Sequence, residues 1–178
     1  MSRIVGASSG WIHIHMLGFP AMIRLIVVAS LLVGCRISLE DEPAPGNCVV
    51  STAQACLDAE GKSNLAWIET NIFAPSCNFS GCHGANGADS SIILAPGRSH
   101  QSLVDNMSSV SPGRKGVVPN DVNASLLMLM LGYVSPADAS PAASAIPGPG
   151  AMPLGGETLC CQKLQAIERW IEAGAPNN

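Results

Sequence analysis

Seven cysteines, at positions 35, 48, 56, 77, 82, 160 and 161, constrain this 178-residue chain more than any other feature. The count is odd, so at least one thiol has a fate other than an intramolecular disulfide. Two of them, Cys77 and Cys82, stand immediately before His83, which puts two thiols and an imidazole within seven residues. Cys35 stands apart from the rest, at the end of an apolar run.

That run, residues 22–35, has Arg24 ahead of a short stretch of Leu, Ile, Val and Ala, with Gly34 before Cys35. Positive start, apolar middle and small residue before a break are the parts of an export signal. The run is shorter than the roughly 20 residues that cross a bilayer, so it is not read as a transmembrane helix. Leu32, Val33, Gly34 and Cys35 resemble the lipobox of bacterial lipoproteins, in which the Cys thiol is lipidated and becomes the first mature residue. The plain alternative is a secretory signal cleaved elsewhere. Residues 1–34 are thus read as a lipoprotein signal peptide, with Met16 and Met22 as alternative starts. Counted from Cys35, seven basic and thirteen acidic side chains leave a net charge of −6. The basic residues form no stripe that could displace counterions from phosphate, so nucleic acid is not an expected partner.

Residues 35–61 carry Glu40, Asp41, Glu42, Pro43 and Pro45 and are read as the lipidated Cys and an acidic, proline-rich tether; 62–178 are read as the folded domain. Four helices are expected within it. The first covers residues 62–74, with Leu65, Ile68 and Ile72 on one face and Pro75 closing it. Two shorter ones cover 99–107 and 123–131, each with a Ser or Asn as N-cap. The last covers 157–173, with Cys160, Leu164, Ile167 and Ile171 in a stripe beside Trp170, and with Gly174 and Pro176 ending it. Residues 135–153, rich in Pro, Ala, Ser and Gly, are a long loop. No strand alternation and no repeat is present.

Three chemistries suit Cys77, Cys82 and His83. A disulfide between the two cysteines beside a surface histidine is natural in an exported protein. A zinc site needs a fourth ligand, from His100 or another cysteine. Covalent haem attachment uses two thiols that add to the porphyrin vinyl groups and an adjacent histidine that becomes the proximal iron ligand.

On these residues and several others the chain resembles the c-type cytochrome domain of bacterial lipoproteins, similar to class I cytochromes c. The likeness runs from Ile72, Phe73, Ala74, Pro75 and Ser76 into Cys77, then through Cys82, His83 and Gly84. It continues with Val118, Pro119 and Asn120 before Ser125, then Met152, Pro153, Leu154, Gly155 and Gly156, and ends with Ile167 to Ala175. Four residues separate the cysteines where the common motif has two; Gly81 would let the extra residues bulge. The resemblance implies a mainly α, class I cytochrome c-like small helical haem domain with long Pro/Gly loops. It implies one covalent haem c on Cys77 and Cys82, with His83 and Met152 as axial ligands. The expected function is then one-electron transfer, without catalysis, to a redox partner protein, by a carrier held to a membrane of the cell envelope through lipid on Cys35. The competing expectation is a disulfide-stapled surface lipoprotein that keeps this scaffold without haem and has a structural or interaction role.

Two independent readings bear on this. After Cys35 only Trp67, Phe73, Phe79, Tyr133 and Trp170 are aromatic, a thin set that a large flat cofactor would complement and that a Leu- and Ala-rich core would also allow. Of the methionines, Met128 and Met130 lie in an apolar run typical of core filling, whereas Met152 ends a Pro/Gly loop that could carry a thioether over an iron; His100 is the alternative distal ligand. The remaining cysteines, Cys48, Cys56, Cys160 and Cys161, allow three pairings. Bridges from Cys160 and Cys161 back to Cys48 and Cys56 are favoured over a strained ring between neighbours, although adjacent helical residues point about 100° apart. One bridge plus two free or locally paired thiols is the other outcome.

Overall fold

The computed structural model describes residues 48–85 and 92–178, all within the compact unit Asp41–Asn178. The signal peptide, the alternative starts, the lipidation site Cys35 and the tether up to residue 47 lie outside the described residues. No helix among those described is long and apolar enough to cross a membrane.

Short helices separated by long irregular segments build the unit. They are α1 (Gln54–Leu57), α2 (Leu65–Ile68), α3 (Ala74–Ser76), α4 (Ser99–Leu103), α5 (Leu126–Met130) and α6 (Cys161–Glu172). Among the described residues β pairing is limited to isolated bridges, such as Val104 with Val117 and Met107 with Lys115.

α2 and α3 form one continuous helical stretch joined by a π-helical turn, Glu69–Phe73. Its N-cap is Asn64, whose side chain accepts from Trp67 N–H. The helix outlasts Pro75 by one residue, instead of closing at it. Proline has no N–H to donate, and the widened π turn ahead of it absorbs the resulting mismatch in the hydrogen-bond ladder. Leu65, Ile68 and Ile72 are all buried, together with Phe73.

α6 is the core helix. Leu164, Ile167, Trp170 and Ile171 are 3% exposed or less, and Trp170 Nε1 donates to the Pro176 carbonyl. Gly174 and Ala175 take positive φ after its end, and Gly174 N–H returns to Ile171 O. The terminal Asn178 caps α2 in turn, accepting from Leu65 N–H on its side chain and Ala66 N–H on its backbone.

α4 and α5 are shorter than the pattern of apolar residues predicts. α4 stops at Leu103 because Val104 is extended and Asp105 has φ of 54°, which lets Val117 N–H reach Leu103 O and Asp105 N–H reach Val117 O. α5 starts only at Leu126. Ser125 precedes it, but its hydroxyl donates to Asp121 O and accepts from Val118 N–H, holding a turn where the helix was expected to begin. Nor does a local Ser cap α4. The buried carboxylate of Glu69, thirty residues back, accepts from Gly97 N–H and Ser99 N–H.

Residues 48–61, expected to be tether, are docked on α6. Cys48 bonds Cys161 and Cys56 bonds Cys160. The 100° objection does not apply, because Cys160 is the extended N-cap of α6 and only Cys161 is helical. Gln162 reinforces the staple by donating to Ser51 O and accepting from Ser51 N–H, and Arg169 donates to the carbonyls of Ala59 and Lys62.

Candidate functional site

The segment after α3 is a tight loop. Cys77 and Asn78 N–H both return to Phe73 O, Cys82 N–H bonds Phe79 O, and His83 N–H bonds Cys77 O at 3.2 Å. The last bond closes the loop on itself, so the four residues between the cysteines bulge out while Cys77 and His83 become neighbours. Gly81, at φ of 88°, supplies the turn. Gly84 is required for space: a Cβ there would lie 3.1 Å from Phe79 O.

His83 is oriented from outside the loop. Its Nδ1 lies 3.0 Å from the carbonyl of Ile92. A carbonyl only accepts, so Nδ1 carries the proton of this bond. Leu94 N–H returns to His83 O at 2.8 Å, tying backbone as well as ring to the same strand of chain.

This loop forms one wall of an apolar cleft of about 570 Å³, a size that suits a sizeable organic ligand. Cys77, Cys82 and His83 line it together with Leu94, Leu103, Leu126, Leu127 and Met130, and Met152 to Gly156 line it as well. The Pro/Gly loop is anchored there by Met152 N–H, which bonds Met130 O at 2.8 Å. Phe79, Val110 and Leu154 line the cleft while about half or more exposed, a concentration of uncovered apolar surface at its mouth. The wall between α4 and α5 is closed by Gly116, where a Cβ would lie 2.7 Å from Leu103 O.

Both cleft cysteines are free thiols. Burial, with some help from neighbouring Cys82, pushes the Cys77 thiol up to about 11, so it is protonated at neutral pH. A protonated thiol is a poor metal ligand and a poor nucleophile. The further zinc ligands considered in the sequence are engaged elsewhere: Cys48, Cys56, Cys160 and Cys161 are in disulfides, His100 Nε2 is engaged by the Ala175 carbonyl at 3.0 Å, and no three His, Cys, Asp or Glu side chains among the described residues are grouped to hold an ion.

Of the residues singled out in the sequence, Cys77, Cys82, His83 and Met152 come together, and His100 does not join them. Met128 and Met130, read as core filling, both belong to the buried core, Met128 wholly enclosed and Met130 also lining the cleft. Two residues apart on a helix, their side chains leave on opposite sides, a signal already present in the spacing. Comparison with protein families, curated proteins and solved structures finds no match.

Proposed function

We propose that the cleft holds one covalently attached haem and that the protein is an exported, lipid-anchored one-electron carrier with a class I cytochrome c-like fold. The observation that carries the reading is the meeting of Cys77, Cys82 and His83 with Met152 around a single apolar cleft. Two free thiols line the cleft where thioether bonds would form, and the hydrogen bond between Nδ1 and the Ile92 carbonyl orients the His83 ring, so that Nε2 would be its ligating nitrogen. Met152 would supply a thioether from a loop pinned beside it. The haem would supply reversible one-electron chemistry. This chain would contribute His83 and Met152 as iron ligands, an apolar surround and a high potential through the methionine sulfur.

The competing reading, a stapled surface lipoprotein without cofactor, draws on the two disulfides, which are a sufficient reason for a stable scaffold. The two separate on a denaturing gel. The full chain, expressed with a haem-ligation system and stained for haem peroxidase activity, should give a band that survives denaturation. Cys77→Ser with Cys82→Ser should remove the stain. A colourless wild-type band from soluble protein overturns the haem reading.

A further inference from the structure

The peptide group between Ile92 and Ile93 is hydrogen-bonded at both of its ends. Its carbonyl oxygen accepts from Nδ1–H of His83 at 3.0 Å, and its N–H donates to the Ser102 hydroxyl oxygen at 2.6 Å. The next N–H, that of Leu94, returns to His83 O. The segment from Ile92 to Leu94 thus clasps His83 by ring and backbone. In a planar trans peptide the C=O and N–H point opposite ways, so Ser102 grips the clasp from the side away from the ring.

Ser102 is placed to set that position and not merely to follow it. It lies on α4, whose start is held by the Glu69 carboxylate and whose last residue, Leu103, is buried and accepts from Val117 N–H. A hydroxyl on an element fixed at both ends orients what it binds. Hydrogen bonds in series also reinforce one another. When the amide N–H donates, its nitrogen gives more of its lone pair to the carbonyl, and the carbonyl oxygen becomes a stronger acceptor. The Ser102 bond therefore strengthens the bond that His83 makes, holding the proton on Nδ1 and leaving more electron density in the ring.

We infer that Ser102 is a positioning residue for His83: through the Ile92–Ile93 peptide it fixes the orientation and tautomer of the ring and raises its strength as an electron donor. The effect on the ring stands on these two bonds alone; its consequence for iron rests on the haem reading. A more electron-rich imidazole favours ferric over ferrous iron, so Ser102 would hold the potential down while the Met152 sulfur raises it.

The first test uses the haem-free full chain and nitrogen NMR of the His83 ring at mildly alkaline pH, where imidazole is neutral and its two tautomers are counted. Wild type should be mostly the Nδ1–H form; a wild type that is mostly Nε2–H overturns the inference. Ser102→Ala should reduce the ratio of Nδ1–H to Nε2–H by about two- to tenfold. Ser102→Thr, which keeps the hydroxyl, should restore it. A ratio unchanged in Ser102→Ala, or a change that Ser102→Thr does not reverse, also overturns it, because a side chain that only fills space gives one or the other. Should Ser102→Ala fail to fold, Ser102→Thr against Ser102→Val, alike in shape and different in the hydroxyl, decides by the same ratio. The second test uses the haem-loaded full chain: Ser102→Ala should raise the potential and Ser102→Thr should return it. Haem-stained Ser102→Ala with the wild-type potential overturns the consequence for iron and leaves the haem reading intact. A colourless wild type overturns the haem reading and that consequence together, while the tautomer ratio still decides the role of Ser102.

Discussion

At the scale of single residues, Cys77 and His83 differ in how their environments prepare them. Ile92 fixes the tautomer of His83, whereas burial fixes the protonation of Cys77. In the haem-free chain, Cys77 therefore holds on the order of a hundredfold less thiolate near neutral pH than an unperturbed thiol. Haloacetamide should label exposed Cys82 first, with Cys77 following far more slowly and accelerating as pH rises toward about 11. Equal rates at pH 8 would contradict the buried thiol. The sign for stability follows from the same shift. A group whose folded pKa is raised binds its proton more tightly when folded, so the haem-free chain should lose stability as pH climbs from the ordinary thiol value to about 11. Met152 and His100 are separated by ligand chemistry. In the haem-loaded protein, Met152→Ala should abolish the weak near-infrared sulfur-to-iron band and lower the potential. His100→Ala, which removes only the bond to Ala175, should leave both in place. A band that survives Met152→Ala would transfer the ligand role to another group, with Met130, which also lines the cleft, the next thioether to replace.

At the scale of elements, the staple on α6 and the crossing at Gly116 matter most. The Cys48–Cys161 bridge closes a separation of 113 residues, worth about 5 kcal/mol on a chain-entropy estimate. With it in place, Cys56–Cys160 closes only the small ring between the two bridges and contributes roughly 3 kcal/mol. Either single Cys pair replaced by Ser should therefore lower the denaturation midpoint less than the two losses together. Full additivity of two large losses would contradict the shared loop. Gly116→Ala pushes a methyl group against the Leu103 carbonyl, so α4 and the segment before α5 must part. A cost of about 1–3 kcal/mol is expected, with reduced haem incorporation since the same residue lines the cleft.

These elements also mark where sequence pattern stops being informative. Leu65, Ile68 and Ile72, and Leu164, Ile167 and Ile171, fall at helical spacing, and each set lies buried as a face. The adjacency of Cys82 and His83 and the loop position of Met152 were equally readable. Helix ends at α4 and α5 were not, because they are set by bonds to Val117 and Asp121, which no local pattern records. Glu69 capping α4 and Arg114 buried against the Pro141 carbonyl are tertiary facts of the same kind.

At the scale of the whole molecule, the proposed anchor on Cys35, which lies outside the described residues, is tested apart from the stapled domain and its cleft. Cys35→Ser should move the exported protein from the membrane fraction to the soluble fraction without changing its haem content; a wild type already soluble would remove the anchor from the account. The central claim concerns the cleft, and the reduced visible spectrum of the purified full chain, taken in alkaline pyridine, tests it most directly. Pyridine would displace the proposed ligands His83 and Met152 and leave thioether bonds as the only attachment. The account predicts a c-type band from haem that stays with the polypeptide, shifted to longer wavelength in Cys77→Ser or Cys82→Ser alone, and absent from the double variant. Haem extracted into acidified organic solvent from wild type, or no haem band at all, would contradict it.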